Sequence, residues 1–270
     1  MKKIFIGVLL LFLTLFTATA CGLLEEPAAP SATIEAVPLE IEAAEEPTAV
    51  AEEPPVQVDE AEAEAEEPAA EEPVADEPAA EESAAVEAVP AGGLVIFEIS
   101  QDASEVRFEL DEDLRGNRIT VVGITNQVAG QMALDLSDLS TAQVGEIQIN
   151  ARTLATDNNF RNRAIQNEIL DTGDYEFITF TPTAVTGLPA SATVGEFIQF
   201  TIEGELTIRD VTETVTFEVT ATAVTETAIQ GTATATVLRD AYGLNIPEVP
   251  NVANVENEVD LIINFVANGS

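Results

Sequence analysis

Ile198-Gln199-Phe200-Thr201-Ile202-Glu203-Gly204-Glu205-Leu206-Thr207-Ile208 carries an apolar residue or glycine at every second position and a polar residue between. That is the period of a β-strand, whose successive side chains point to opposite faces. The same alternation recurs along the chain. Val106, Phe108 and Leu110 alternate with Arg107 and Glu109, and Val215, Phe217 and Val219 with Thr214, Thr216 and Glu218. Ala233, Ala235 and Val237 alternate with Thr232, Thr234 and Thr236, and Val259, Leu261, Ile263 and Phe265 complete the series. One apolar and one polar face per strand marks antiparallel sheet that is wet on one side. Roughly eight strands in hairpin order admit a barrel or a sandwich, and strands this long favour an up-and-down antiparallel barrel. The expected fold class is all-β.

One stretch breaks the pattern. Asp157 to Leu170, DNNFRNRAIQNEIL, sets Phe160, Ala164, Ile165 and Ile169 near helical spacing. Asp157 is placed to cap it and Gly173 to stop it, so one short helix is expected. Asp111-Glu112-Asp113-Leu114-Arg115-Gly116 opens like a calcium loop. Arg115 stands where the fifth-position ligand belongs and Val122 where the closing glutamate belongs, so the stretch reads as an exposed hairpin turn.

The rest of the chain has a different character. Residues 1–21, MKKIFIGVLLLFLTLFTATAC, run from two lysines through an apolar core to small residues and Cys21, a secretory signal pattern too short for a lasting membrane span. The small residues before Cys21 resemble a bacterial lipoprotein signal, with Ala18 where that pattern prefers leucine. The resemblance implies that Cys21 is lipidated, and hence an extracytoplasmic protein tethered to the cell membrane from the periplasm or cell surface. Cys21 is also the sole cysteine, so no intramolecular disulfide is available. From 22 to 92 the chain is Ala, Glu, Pro and Val in low-complexity order, with 22 acids, no lysine or arginine, no aromatic residue and ten of the 14 prolines. Such a segment cannot bury enough apolar surface to offset its ordering entropy, and is expected to be a disordered acidic linker. As a spacer of about 70 residues it would average on the order of 45 Å from end to end. Residues 93–270 have the size of a single domain with a full core.

Within that domain an ordered set of short motifs carries a family resemblance. They are Ser104-Glu105-Val106-Arg107-Phe108, Val122-Gly123, Ile149-Asn150-Ala151-Arg152-Thr153-Leu154-Ala155-Thr156-Asp157, Arg161, Tyr175-Glu176-Phe177-Ile178-Thr179-Phe180, Gly204-Glu205-Leu206-Thr207-Ile208-Arg209-Asp210-Val211-Thr212 and Arg239-Asp240-Ala241-Tyr242-Gly243-Leu244. In order and spacing the stretch from Phe97 to Phe265 resembles the YceI-like family. Glu176 departs from its pattern, where proline is usual, and Asp210 stands where glycine is; both are read as strand or turn adjustments. The resemblance implies an extended lipocalin-like barrel that binds an isoprenoid lipid.

The residues leave the interior open between two readings. Ala221, Ala223, Ala233 and Ala235, with Gly204 and Gly231 nearby, would leave room for a ligand; Phe108, Met132, Phe180, Phe200, Ile202, Phe217 and Phe265 would wall it. Alternatively the alanines sit opposite the phenylalanines in a solid core. The resemblance favours the cavity. A diphosphate head would need cations, and the candidates are Arg161 and Arg163 on the expected helix and Arg239 at a strand end. Local salt bridges are the competing use of the same arginines. The domain carries eight arginines and 27 acids and no lysine, a net charge of −19 that repels an anionic head. An uncharged isoprenoid or quinone-like ligand fits at least as well. The absence of histidine excludes Ser-His-Asp chemistry and His-based zinc sites, so no enzyme is expected. The acidic balance also argues against nucleic acid. The alternative in another class is a non-catalytic interaction or structural module with a filled barrel.

Overall fold

The computed structural model describes residues 26–31, 33–39 and 93–269. The signal segment, Cys21 and residues 40–92 lie outside the described residues. The described chain forms β1 (Val95–Ile99), β2 (Glu105–Leu114), β3 (Asn117–Thr125), β4 (Val128–Ala129), β5 (Gln131–Leu134), β6 (Gln143–Val144) and β7 (Ile147–Asn150). After α1 (Asn159–Ala164) come β8 (Phe177–Thr186), β9 (Phe197–Ile208), β10 (Val211–Thr225), β11 (Ala228–Leu238), β12 (Val252–Ala253) and β13 (Glu258–Gly269). All the strands join one antiparallel, curled sheet in the order β4-β7-β8-β9-β10-β11-β13-β1-β5-β6, with β2 also on β13 and carrying β3 and β12. Several strands are short rim pieces, so the count exceeds the expected eight.

β8 to β11 run up and down, as the alternation predicts. The ends of the path meet because β4 and β5 are one run of chain divided only by Gly130, with β4 on β7 and β5 on β1. The alternating apolar residues face the lumen. Leu206, Ile208, Val215, Phe217 and Val219 are all buried there, while Thr214, Thr216 and Glu218 are exposed. The 111–116 stretch is a β2–β3 hairpin. Arg115 and Gly116 both take positive φ, 54° and 80°, the twist-matched geometry of a two-residue turn.

The helix is present but shorter than its pattern. Its cap is Asn158 rather than Asp157: the Asn158 side chain accepts from the amides of Phe160 (2.9 Å) and Arg161 (3.3 Å). Beyond Ala164 the coil widens into a π-helical turn, Ile165–Ile169.

Of the expected linker, 22–92, only residues 26–31 and 33–39 are among the described residues. Residues 26–31 and 33–39 form an extended strap on the domain, with Ile34 only 3% exposed. Gln101 Nε2 donates to the Ile34 carbonyl at 2.8 Å, and the Leu39 amide donates to Gln131 Oε1 at 2.9 Å. The reason is compositional: this stretch holds Ile34 and Leu39, whose side chains are large enough to bury against the domain.

Candidate functional site: a divided apolar lumen

Three cross-strand contacts shape the lumen. Phe108 stands opposite Gly123 and Phe265 opposite Gly231, and the Phe180 ring covers Gly204. A Cβ on those glycines would lie 2.2, 2.7 and 2.6 Å from the respective rings, so each ring lies against a backbone with no side chain to hold it off. Small residues therefore do not simply leave space: at these positions they receive the aromatics. Both sequence readings hold in part.

Among the described residues two cavities stand open, with no lining residue in common. The smaller, about 100 Å³, is walled by Met132, Phe180, Phe200, Ile202, Phe217, Ala221, Ala233 and Phe265, with Leu134, Leu136, Leu139 and Val144 from the β5–β6 region. The larger, about 250 Å³, is walled by Phe108, Leu110, Val121, Ile165, Ile208, Val237 and Leu261. Exposed Phe160 and Val249 also line it, so it reaches solvent there. Along β9, Ile202 faces the small chamber and Ile208 the large, while Leu206 between them faces neither. Along β11, Ala233 and Val237 face the two chambers and Ala235 faces neither. Leu206, Val215 and Ala235 thus form a layer between the chambers, next to an edge-to-face pair of Phe180 and Phe217 at 4.9 Å.

The residues expected to wall a cavity are gathered round the small chamber, except Phe108 in the large one and Ala235 in the dividing layer. Ala235 sits opposite Leu261 on β13 at the level where the chambers are separated. Of the arginines, Arg161 and Arg239 line the large chamber; Arg163 lines neither chamber. Sequence reading missed Tyr242, Leu244, Ile246, Pro247, Val252 and Val255, which close the large chamber from an irregular stretch with no period to reveal them.

The two arginines are already engaged. Arg161 Nη2 binds Glu112 Oε1 at 3.1 Å and Nη1 binds Asp157 Oδ1 at 2.6 Å, with Glu112 only 6% exposed. Arg239 donates from Nε to the Glu256 carbonyl and from Nη1 to the Leu244 carbonyl, both at 3.0 Å, and pairs with Asp240 at 3.4 Å. The first amides of α1 are taken by Asn158, so the helix start offers no phosphate cradle. Tyr242 is buried, and burial, with the negative charge of Glu213, pushes its hydroxyl up to about 12. It therefore stays an uncharged phenol, with no hydrogen-bond partner for its hydroxyl among the described residues.

The curled sheet is similar to that of a polyisoprenoid binding domain from Saccharophagus degradans implicated in plant cell wall breakdown. The TM-score is 0.52 at 13% identity, over 64% of this chain and 98% of that one. It is also similar to BcnA of Burkholderia cenocepacia, with a TM-score of 0.51 at 20% identity over 63% of this chain and 99% of that one. No curated protein matches the chain. Residues 97–267 match the family described as YceI-like domain, which is well over half of the sequence, and the chain belongs to the YceI-like family.

Proposed function

We propose that this domain is a non-catalytic lipid-binding module that shelters an uncharged, isoprenoid-like chain in its lumen, on the outer side of a membrane to which a lipid on Cys21 tethers it. The observation that carries the reading is the pair of apolar chambers end to end in one lumen, with the cations of the larger one already neutralised. The Saccharophagus degradans domain of similar fold, described as polyisoprenoid binding, supports the ligand class.

Volume sets the ligand's scale. An apolar cavity of about 150 Å³ accepts benzene, or roughly 25 Å³ per carbon. On that measure the large chamber of about 250 Å³ takes about ten carbons, two isoprene units, and the small one of about 100 Å³ takes about four. A longer chain must displace the dividing layer. The head would stay at the large chamber, where Phe160 and Val249 reach solvent.

The test is organic extraction and mass spectrometry of natively purified protein from residue 22 onward. A stoichiometric uncharged prenyl lipid or quinone is expected. A bound diphosphate would overturn the uncharged head. Empty protein that also refuses a fluorescent isoprenoid alcohol would overturn lipid binding and leave a surface interaction module.

A further inference from the structure

We infer that the strap of residues 26–39 holds the domain close to the membrane, so that the chain between Cys21 and Ala29, and not the acidic stretch that follows the strap in sequence, sets the tether's length. The distance to the membrane rests on the lipid at Cys21 proposed above; the clasp that holds the strap does not.

The clasp is a built one. Arg152 and Glu176 form an ion pair at 2.8 Å with side chains only 13% and 10% exposed. Arg152 is itself held by the carbonyls of Thr172 (Nε, 2.6 Å) and Gly173 (Nη2, 2.9 Å), and the pair has further bonds to the strap. Arg152 Nη1 donates to the Ala29 carbonyl at 3.2 Å, and Glu176 accepts from the Ser31 amide at 2.8 Å and from the Ser31 hydroxyl. Asn150 Nδ2 supports the same carboxylate at 3.0 Å. Burial alone would raise the Glu176 pKa, but Ser31, Asn150 and Arg152 together hold it below its ordinary 4.5. Farther along, Ile34 is buried with its carbonyl on Gln101, and Leu39 lies against Gly145 with its amide on Gln131. The strap thus runs from the β7–β8 side to the β1–β5 side, fixed at both ends and in the middle.

Chain length turns this docking into a distance. Cys21 and Ala29 are eight residues apart in sequence, which spans at most about 29 Å when fully extended. Without the clasp the tether would run from Cys21 to Gly93, averaging on the order of 45 Å and extending to about 250 Å. Nineteen of the 22 linker acids lie in 40–92 and so do not stand between anchor and domain.

The experiment uses the full chain reconstituted in phosphatidylcholine vesicles containing a rhodamine-headgroup lipid. A donor dye is placed on an exposed site by Asp174→Cys, and the mass of the Cys21 peptide reports lipidation. Amide exchange at Ser31 and Leu39 reports docking. We expect strong energy transfer that falls on Ile34→Asp, a substitution outside both chamber linings. Exchange at both amides should be slowed about tenfold or more relative to residues 42–91. If Cys21 carries lipid but both amides exchange freely and Ile34→Asp leaves transfer unchanged, the strap inference is overturned and the anchor stands. If the amides are protected but Cys21 is unmodified, the anchor and the membrane distance are overturned, and the strap remains only an internal clasp.

Discussion

Gly123→Ala probes the contact that opens the large chamber. The new Cβ would lie 2.2 Å from Cε1 and 2.4 Å from Cζ of Phe108, more than an ångström inside ordinary contact. The three nearest atoms all belong to the Phe108 ring, so the ring is expected to turn into the chamber while the strands stay paired. Overpacking of this kind costs about 1–3 kcal/mol. Against it stands a gain of about 0.4–1 kcal/mol from stiffening the unfolded chain, since Gly123 has an ordinary strand conformation. The net expectation is a loss of about 1–2 kcal/mol, or about 2–8 °C in Tm for a domain of this size. Uptake of a fluorescent isoprenoid alcohol should fall with it, because the ring now occupies ligand volume. The decisive comparison is the same substitution in a Phe108→Ala background. With the ring gone only the unfolded-state gain remains, so Gly123→Ala should become stabilising, a coupling of more than about 1 kcal/mol. Urea unfolding of the four proteins measures it. An equal cost in both backgrounds would refute the ring-on-glycine account.

Glu112→Gln should destabilise the fold by on the order of 3 kcal/mol, since it strips a buried partner from Arg161, and urea unfolding reads that loss. It should also shift ligand preference toward anionic isoprenoids, measured by competition between farnesol and farnesyl diphosphate; unchanged preference would mean Arg161 does not face the head. Phe180→Ala should cost about 3–5 kcal/mol and join the chambers, so native mass spectrometry across a series of isoprenoid alcohols should show longer chains preferred. Strap docking should depend on acid. Glu176 has a folded pKa below 4.5, so its contribution is complete above that value and is lost as pH falls through the folded value. Exchange at the Ser31 and Leu39 amides should therefore accelerate below pH 4.5, and Glu176→Gln should remove that dependence.

The period-two pattern carried the fold because burial on one face is written into every long strand. β9 and β10 follow from Ile198–Ile208 and Val215–Val219 alone. The short strands β4, β6 and β12 hold two residues each and have no period to detect. The site was legible as composition but not as partition. Sequence assigns Ala233 and Ala235 to one face, yet which chamber a residue meets depends on its height in the barrel, and that is set by cross-strand register. The strap was hidden for another reason. Ile34 and Leu39 are too few to outweigh the alanines, glutamates and prolines around them, and the partners of Ile34, Leu39 and Ser31, which are Gln101, Gln131 and Glu176, lie 67 to 145 residues away. Glu176, read as a strand adjustment where the family pattern has proline, is the acceptor that fixes Ser31.

Charge at the large chamber argues for the same ligand as its apolar walls. A phosphate could reach Arg161 only by displacing Glu112, and an unpaired carboxylate at 6% exposure costs about 3–5 kcal/mol. Arg239 is no easier, because freeing it leaves the carbonyls of Glu256 and Leu244 without their donor. The surrounding domain, at −19, opposes the approach of an anion as well. An uncharged head meets none of these penalties, and each methylene it carries into the lumen gains about 0.8 kcal/mol. Ten carbons in the large chamber give about 8 kcal/mol gross, comparable to the cost of association itself, about 4–15 kcal/mol. On the proposed function, tight retention would therefore require a chain long enough to pass the layer of Leu206, Val215 and Ala235 beside the Phe180–Phe217 pair, and that layer would set the length of chain kept.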